Sequence, residues 1–121
     1  MKRVLIIDHD NIAQGLYSRM LQGVEVEIIS ADTIKKAEKM FEENPDIDAV
    51  VINAFGSGLR IDTAPLVRKI KNTPTFKGLM IATSGSPIYA EELVNAGCSC
   101  SCEKHLVAQM LCKLLGLSAS R

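Results

Sequence analysis

Three short apolar runs, each closed by a polar residue, organise this chain. Val4-Leu5-Ile6-Ile7 stops at Asp8, Ala49-Val50-Val51-Ile52 at Asn53, and Leu79-Met80-Ile81-Ala82 at Thr83. A fourth segment, Cys98 to Glu103, stops at Lys104. Runs of this length and continuity predict strands buried on both faces, which is the signature of a parallel sheet. Between them the pattern changes to helical spacing. Asn11 to Gln22 places Ile12, Leu16, Met20 and Leu21 on one side, and Thr33 to Glu43 places Ile34, Ala37, Met40 and Phe41 inward, with Asp32 as the expected cap. Val24 to Ser30 alternates with Glu25 and Glu27, as a strand nearer the edge does. Pro45 ends the second helix. Thr63 caps a third that carries Pro65 in its first turn. Gly78 to Thr83 is the fourth strand. Ser86-Pro87 opens a fourth helix that Gly97 closes. Cys98 to Cys102 is the fifth strand, and His105 to Leu117 the last helix.

Five such strand–helix units predict an α/β fold: a doubly wound, five-stranded parallel sheet with right-handed crossovers and helices on both faces. The two most apolar strands, the first and third, are the natural central neighbours in a 2-1-3-4-5 order of flavodoxin-like type. Their carboxyl ends then meet at the switch point where such sheets place chemistry. The 121 residues suffice for a single domain spanning 1–121.

Charge narrows the partners. Fourteen basic residues balance fourteen acidic ones, so no global field attracts nucleic acid or an anionic membrane. The basic opening Met1-Lys2-Arg3 precedes an apolar stretch that stops at Asp8, too short for a signal sequence or a membrane span. The expected location is the cytoplasm, where the cysteines at 98, 100, 102 and 112 stay reduced.

With its acid, amide, hydroxyl and ammonium converging on one rim, the chain resembles the receiver domain of two-component response regulators over nearly its whole length. Asp8 matches the first acid after strand one, and His9 stands where the second, metal-binding acid is usual. Asn53 matches the phosphoacceptor aspartate, Thr83 the hydroxyl residue ending strand four, and Lys104 the lysine after strand five. The resemblance implies a non-enzymatic signalling module, and the departures imply a divergent pseudo-receiver. Ser101 replaces the aromatic switch residue, His105 replaces the proline after the lysine, and Ala54 to Arg60 lacks the usual loop motif. An amide cannot become the mixed anhydride that a carboxylate forms, so Asn53 is not expected to accept a phosphoryl group. Two acids fewer, with Lys104 free to neutralise Asp8, leaves almost no charge to hold Mg²⁺. No cofactor is expected. Asp8, Asn53, Thr83 and Lys104 are expected instead to form one fixed polar network.

Other constellations are less specific. Asp8, His9 and Asp10 have the ligand types of a transition-metal site, but neighbouring side chains of an extended segment diverge. Cys98, Cys100 and Cys102 alternate; they read as small buried hydrophobes, with zinc or redox sensing as the other reading. Glycines 56, 58 and 85, near Ser57, Ser84 and Ser86, read as turn residues, since no phosphate-loop pattern accompanies them.

The last helix is apolar around more than half its circumference, beyond the stripe that covering a core requires. Tyr89, Val107, Leu111, Leu114 and Leu115 are therefore the expected interface for a protein partner or a homodimer, on the face made by helix four, strand five and helix five. The alternative is a sensor that binds a small ligand or metal at the rim.

Overall fold

The structure, a computed structural model, describes residues 1–54 and 63–117. Its strands are β1 (Lys2–Ile7), β2 (Val26–Ala31), β3 (Ala49–Asn53), β4 (Leu79–Thr83) and β5 (Cys100–Cys102). Its helices are α1 (Asn11–Met20), α2 (Ile34–Glu43), α3 (Ala64–Lys71), α4 (Pro87–Ala96) and α5 (Val107–Leu115), with a 3-10 turn over Lys104–Leu106. All pairings are parallel and the order is β2-β1-β3-β4-β5, as the apolar runs require.

Alternation along the strands divides the buried side chains into two clusters. Leu5, Ile7, Val50, Ile52, Met80 and Ala82 face α2, α3 and α4. Val4, Ile6, Ala49, Val51 and Ile81 face α1 and α5, which contribute Ala13, Tyr17, Leu21, Val107 and Leu111. The edge strand β5 has only three residues, a length that gives a further strand little to pair with.

Several boundaries differ from the sequence expectation for local reasons. Thr33, rather than Asp32, caps α2: its hydroxyl accepts from Lys36 N at 3.1 Å, while Asp32 forms an ion pair with Lys36 at 3.0 Å. That pair holds the Asp32 carboxyl below its ordinary range. Thr63 stands at the start of α3 but makes no side-chain cap, because its hydroxyl donates to the Asn53 carbonyl at 3.0 Å. Ile12 is 81% exposed and the inner face of α1 is Ala13, Tyr17 and Leu21, since Asp10 caps the helix by accepting from Ile12 N and so sets its phase. The last helix begins at Val107, after the 3-10 turn.

Val107 and Leu111 are wholly buried against the sheet, so they are core residues and leave the expected interface. Part of the surplus apolar arc of α5 is absorbed there, because α5 packs on α1 as well as on the sheet. Leu114 remains 41% exposed.

At the opposite rim Arg3 ties three segments together. Its guanidinium donates to Glu27 on β2 and to Asn44 and Asp46 before β3, and its backbone N–H donates to Asp48 at 2.8 Å. Gly78 is required nearby, since a Cβ there would lie 2.3 Å from the Asp48 carbonyl oxygen.

Candidate functional site

Asp8, Asn53 and Thr83 follow Ile6, Val51 and Ile81 at an interval of two, so all three turn toward the α1–α5 face at the carboxyl rim. Each is buried. Lys104 reaches the same point from the 3-10 turn after β5, with its ammonium 3.1 Å from Asp8 Oδ2. The other oxygen of Asp8 accepts from the Asp10 backbone N–H at 2.9 Å. Asn53 and Thr83 are register partners on β3 and β4, and the Thr83 hydroxyl donates to Asn53 Oδ1 at 3.5 Å, the long limit for such a bond.

The four residues thus come together, but as two pairs rather than the expected single network. Asp8 is ion-paired with Lys104 and Asn53 hydrogen-bonded to Thr83, and among the described residues no hydrogen bond joins the pairs. Sequence reasoning also missed three residues that build the rim. Gln14 on α1 donates from Nε2 to the carbonyls of Ile6, Asp8 and Ala31, closing the ends of β1 and β2. Thr63 holds the Asn53 backbone. Tyr17 is 1% exposed beneath the rim. Burial pushes its phenol well above the ordinary value; Thr83 draws it back and the Asp8 charge raises it further. The available signal was a polar-tipped aromatic one helical turn after Ala13, on the face that α1 buries.

His9 lies on the rim with Nδ1 3.9 Å from Asp8 Oδ1 and its side chain 56% exposed. Asp10 spends its carboxylate on the cap of α1. Among the described residues no group of three or more His, Cys, Asp or Glu side chains could hold a metal ion. The donor set also fits Mg²⁺ poorly: its single buried carboxylate already carries an ammonium and a backbone N–H, where a hard dication needs free anionic oxygens. Ser101 pairs with Ala82, projects to the α4 side and is exposed, away from the Asp8 cluster. Of the loop glycines, 56 and 58 lie outside the described residues, as does Ser57; Gly85 is exposed in the turn before α4, where Ser86 caps by accepting from Tyr89 N at 3.4 Å.

The cysteines do not share one environment. Cys98 precedes β5 and is buried in the α2–α4 cluster, whereas Cys100 and Cys102 are half-buried toward α1 and α5. Burial pushes the Cys98 thiol up to about 12 and raises Cys100 and Cys102 as well, which leaves little thiolate for metal or oxidant at neutral pH. A consequence is alkaline sensitivity. Above pH 9.0 an unfolded Cys98 releases its proton while the folded one keeps it, and Tyr17 behaves alike above pH 10.0. The folded chain then binds more protons, so stability falls as pH rises. Urea midpoints should drop steadily between pH 9 and pH 12, and Cys98→Ala should flatten the first part of that decline. A flat profile would show that these groups are solvated.

No protein-family profile matches the chain, and no curated protein sequence matches it. Solved structures do. A two-component response regulator from Clostridium difficile superposes with TM-score 0.79 at 17% identity, covering 96% of this chain and 97% of that one. The Vibrio cholerae chemotaxis protein CheY4 gives TM-score 0.76 at 18% identity over 96% and 97%. A response regulator receiver domain protein from Clostridium thermocellum gives 0.75 at 21% over 96% and 92%. The fold is therefore the receiver fold of response regulators. Among the described residues no helix is long and apolar enough to cross a membrane.

Proposed function

We propose that the chain is a non-enzymatic, receiver-like signalling module that acts through protein contacts, in a conformation not set by aspartate phosphorylation. The observation that carries this reading is Asn53, buried at the end of β3 with its amide engaged by Thr83. An amide oxygen is a weak nucleophile and forms no acyl phosphate. The neutralisation of Asp8 by Lys104 supports the same reading, because it removes the charge that a catalytic dication would need. Incubation with acetyl phosphate or beryllofluoride and Mg²⁺ should leave the mass and the amide spectrum unchanged. In Asn53→Asp, acetyl phosphate with Mg²⁺ should yield an acyl phosphate labile to hydroxylamine, the acetate leaving as the carboxylate takes the phosphoryl group. An adduct on the unsubstituted chain would end the proposal, and strong thermal stabilisation by Mg²⁺, nucleotide or phosphate would favour a ligand sensor instead.

The contact surface in this reading is the α4–β5–α5 face. Ile88 is 73% exposed there, and Tyr89, Leu106 and Leu114 are 38%, 38% and 41% exposed; the half-buried Leu115 adjoins them on α5. A second copy of the chain is the simplest occupant. Leu114→Glu should keep the fold and abolish self-association in sedimentation, and a monomeric parent chain would eliminate the homodimer.

A further inference from the structure

The two polar pairs at the rim leave one oxygen of Asp8 without a hydrogen bond, and a buried phenol without one belongs to the same core. Tyr17 projects from the second turn of α1 into the α1–α5 core, among Ile6 and Ile81, which precede Asp8 and Thr83 by two residues on their strands, and both of those polar side chains act on its phenol. No described residue gives that hydroxyl a well-aligned hydrogen bond, and Asp8 Oδ2, although close to Lys104, also lacks one. A buried hydroxyl left without a partner keeps the full penalty of its desolvation. Two such atoms belonging to neighbouring residues, one a donor and the other an acceptor, point to a bond between them.

We propose that Tyr17 is a positioning residue that joins the two halves of the site, donating to Asp8 and accepting from Thr83. The donor count explains why this works. A carboxylate only accepts, a phenol or threonine hydroxyl donates once while accepting, and an amide offers both functions. Half a turn of the Asn53 amide directs Nδ2–H at Thr83 Oγ1, in place of the long contact to Oδ1. The Thr83 proton then turns to Tyr17, the Tyr17 proton to Asp8, and Lys104 closes the chain from the other side. Every link has one donor and one acceptor. An aspartate at 53 has no N–H with which to start it, so the amide is the member that sets the direction of the chain. Because Asp10 and Gln14 also bond to Asp8, helix α1 is tied to the rim at 10, 14 and 17.

This inference deepens the reading of the rim as a site that accepts no phosphoryl group and rests on it. Its test is a mutant cycle between Lys104→Met and Thr83→Val, run by urea denaturation in the parent chain and again in Tyr17→Phe, which keeps the ring and removes the hydroxyl. The midpoint shifts should be non-additive in the parent and additive once Tyr17→Phe is present. Additivity in the parent, or non-additivity that survives Tyr17→Phe, overturns the proposal. Should a combined variant fail to fold, the ¹³Cζ resonance of Tyr17 decides: it should move in each single variant, and movement in one alone or in neither removes the link. Phosphodonor labelling of the unsubstituted rim would end the non-accepting reading without changing this cycle, and an additive cycle would leave that reading intact.

Discussion

Leu111→Ala should destabilise the folded chain by about 2–5 kcal/mol, the range for truncating a fully buried leucine. Leu111 has no exposed surface and packs with Val107, Tyr17, Ile6 and Ile81 between α5 and the sheet. Removing its branched end costs the transfer of apolar surface and leaves a cavity that strands on one side and α1 on the other cannot collapse to fill. Since natural domains hold only about 5–15 kcal/mol in reserve, the melting midpoint should fall on the order of 10 °C. Leu111→Glu should prevent folding, because it buries a charge among apolar side chains. Circular dichroism melts decide the matter. A variant that melts like the parent would place Leu111 on the surface and return it to the interface.

Lys104→Met should be the most damaging change at the rim, costing about 3 kcal/mol, the low end for breaking a buried ion pair. The side chain of Asp8 is 1% exposed and that of Lys104 is 31% exposed, so water screens the ammonium in part while the carboxylate depends on it. The Asp10 backbone N–H remains as one donor to Asp8 and limits the loss. Most of the cost is the uncompensated charge, so adding Asp8→Asn to Lys104→Met should recover the greater part of it. Urea titration of the two single variants and the double variant measures this. If Lys104→Met is neutral, Asp8 is solvated and the ion pair does not organise the rim.

Part of this site was legible without coordinates, for a definite reason. Strand ends are marked by where apolar runs stop, and in a parallel sheet those ends meet on one rim. Asp8, Asn53, Thr83 and Lys104 could thus be assembled from four breaks in hydrophobicity. Who bonds to whom could not. The pairing of Asp8 with Lys104 and of Asn53 with Thr83 depends on side-chain reach across the rim and on the phase of α1, which Asp10 sets by capping. The same phase sends Ile12 outward and Tyr17 inward, and periodicity alone fitted Ile12 to the buried side. Thr63 likewise looked like a helix cap because its position is right, yet its hydroxyl is taken by the Asn53 carbonyl across the rim.

The helix-five surface followed a similar course. An apolar arc wider than one core contact signals a second contact, but its size does not say whether a partner or the chain itself supplies it. Here the core takes Leu111 and Val107, and Leu106 and Leu114 are the large apolar residues of this stretch left exposed.

By itself the sequence determined the order of the strands, their burial and the chemical identity of the rim, because run length and its breaks are local and survive without knowledge of neighbours. The tertiary structure alone decided that a tyrosine from α1 stands beneath the rim and that α5 turns Val107 and Leu111 inward while Leu114 stays exposed, since both depend on how helices seat against the sheet from distant parts of the chain.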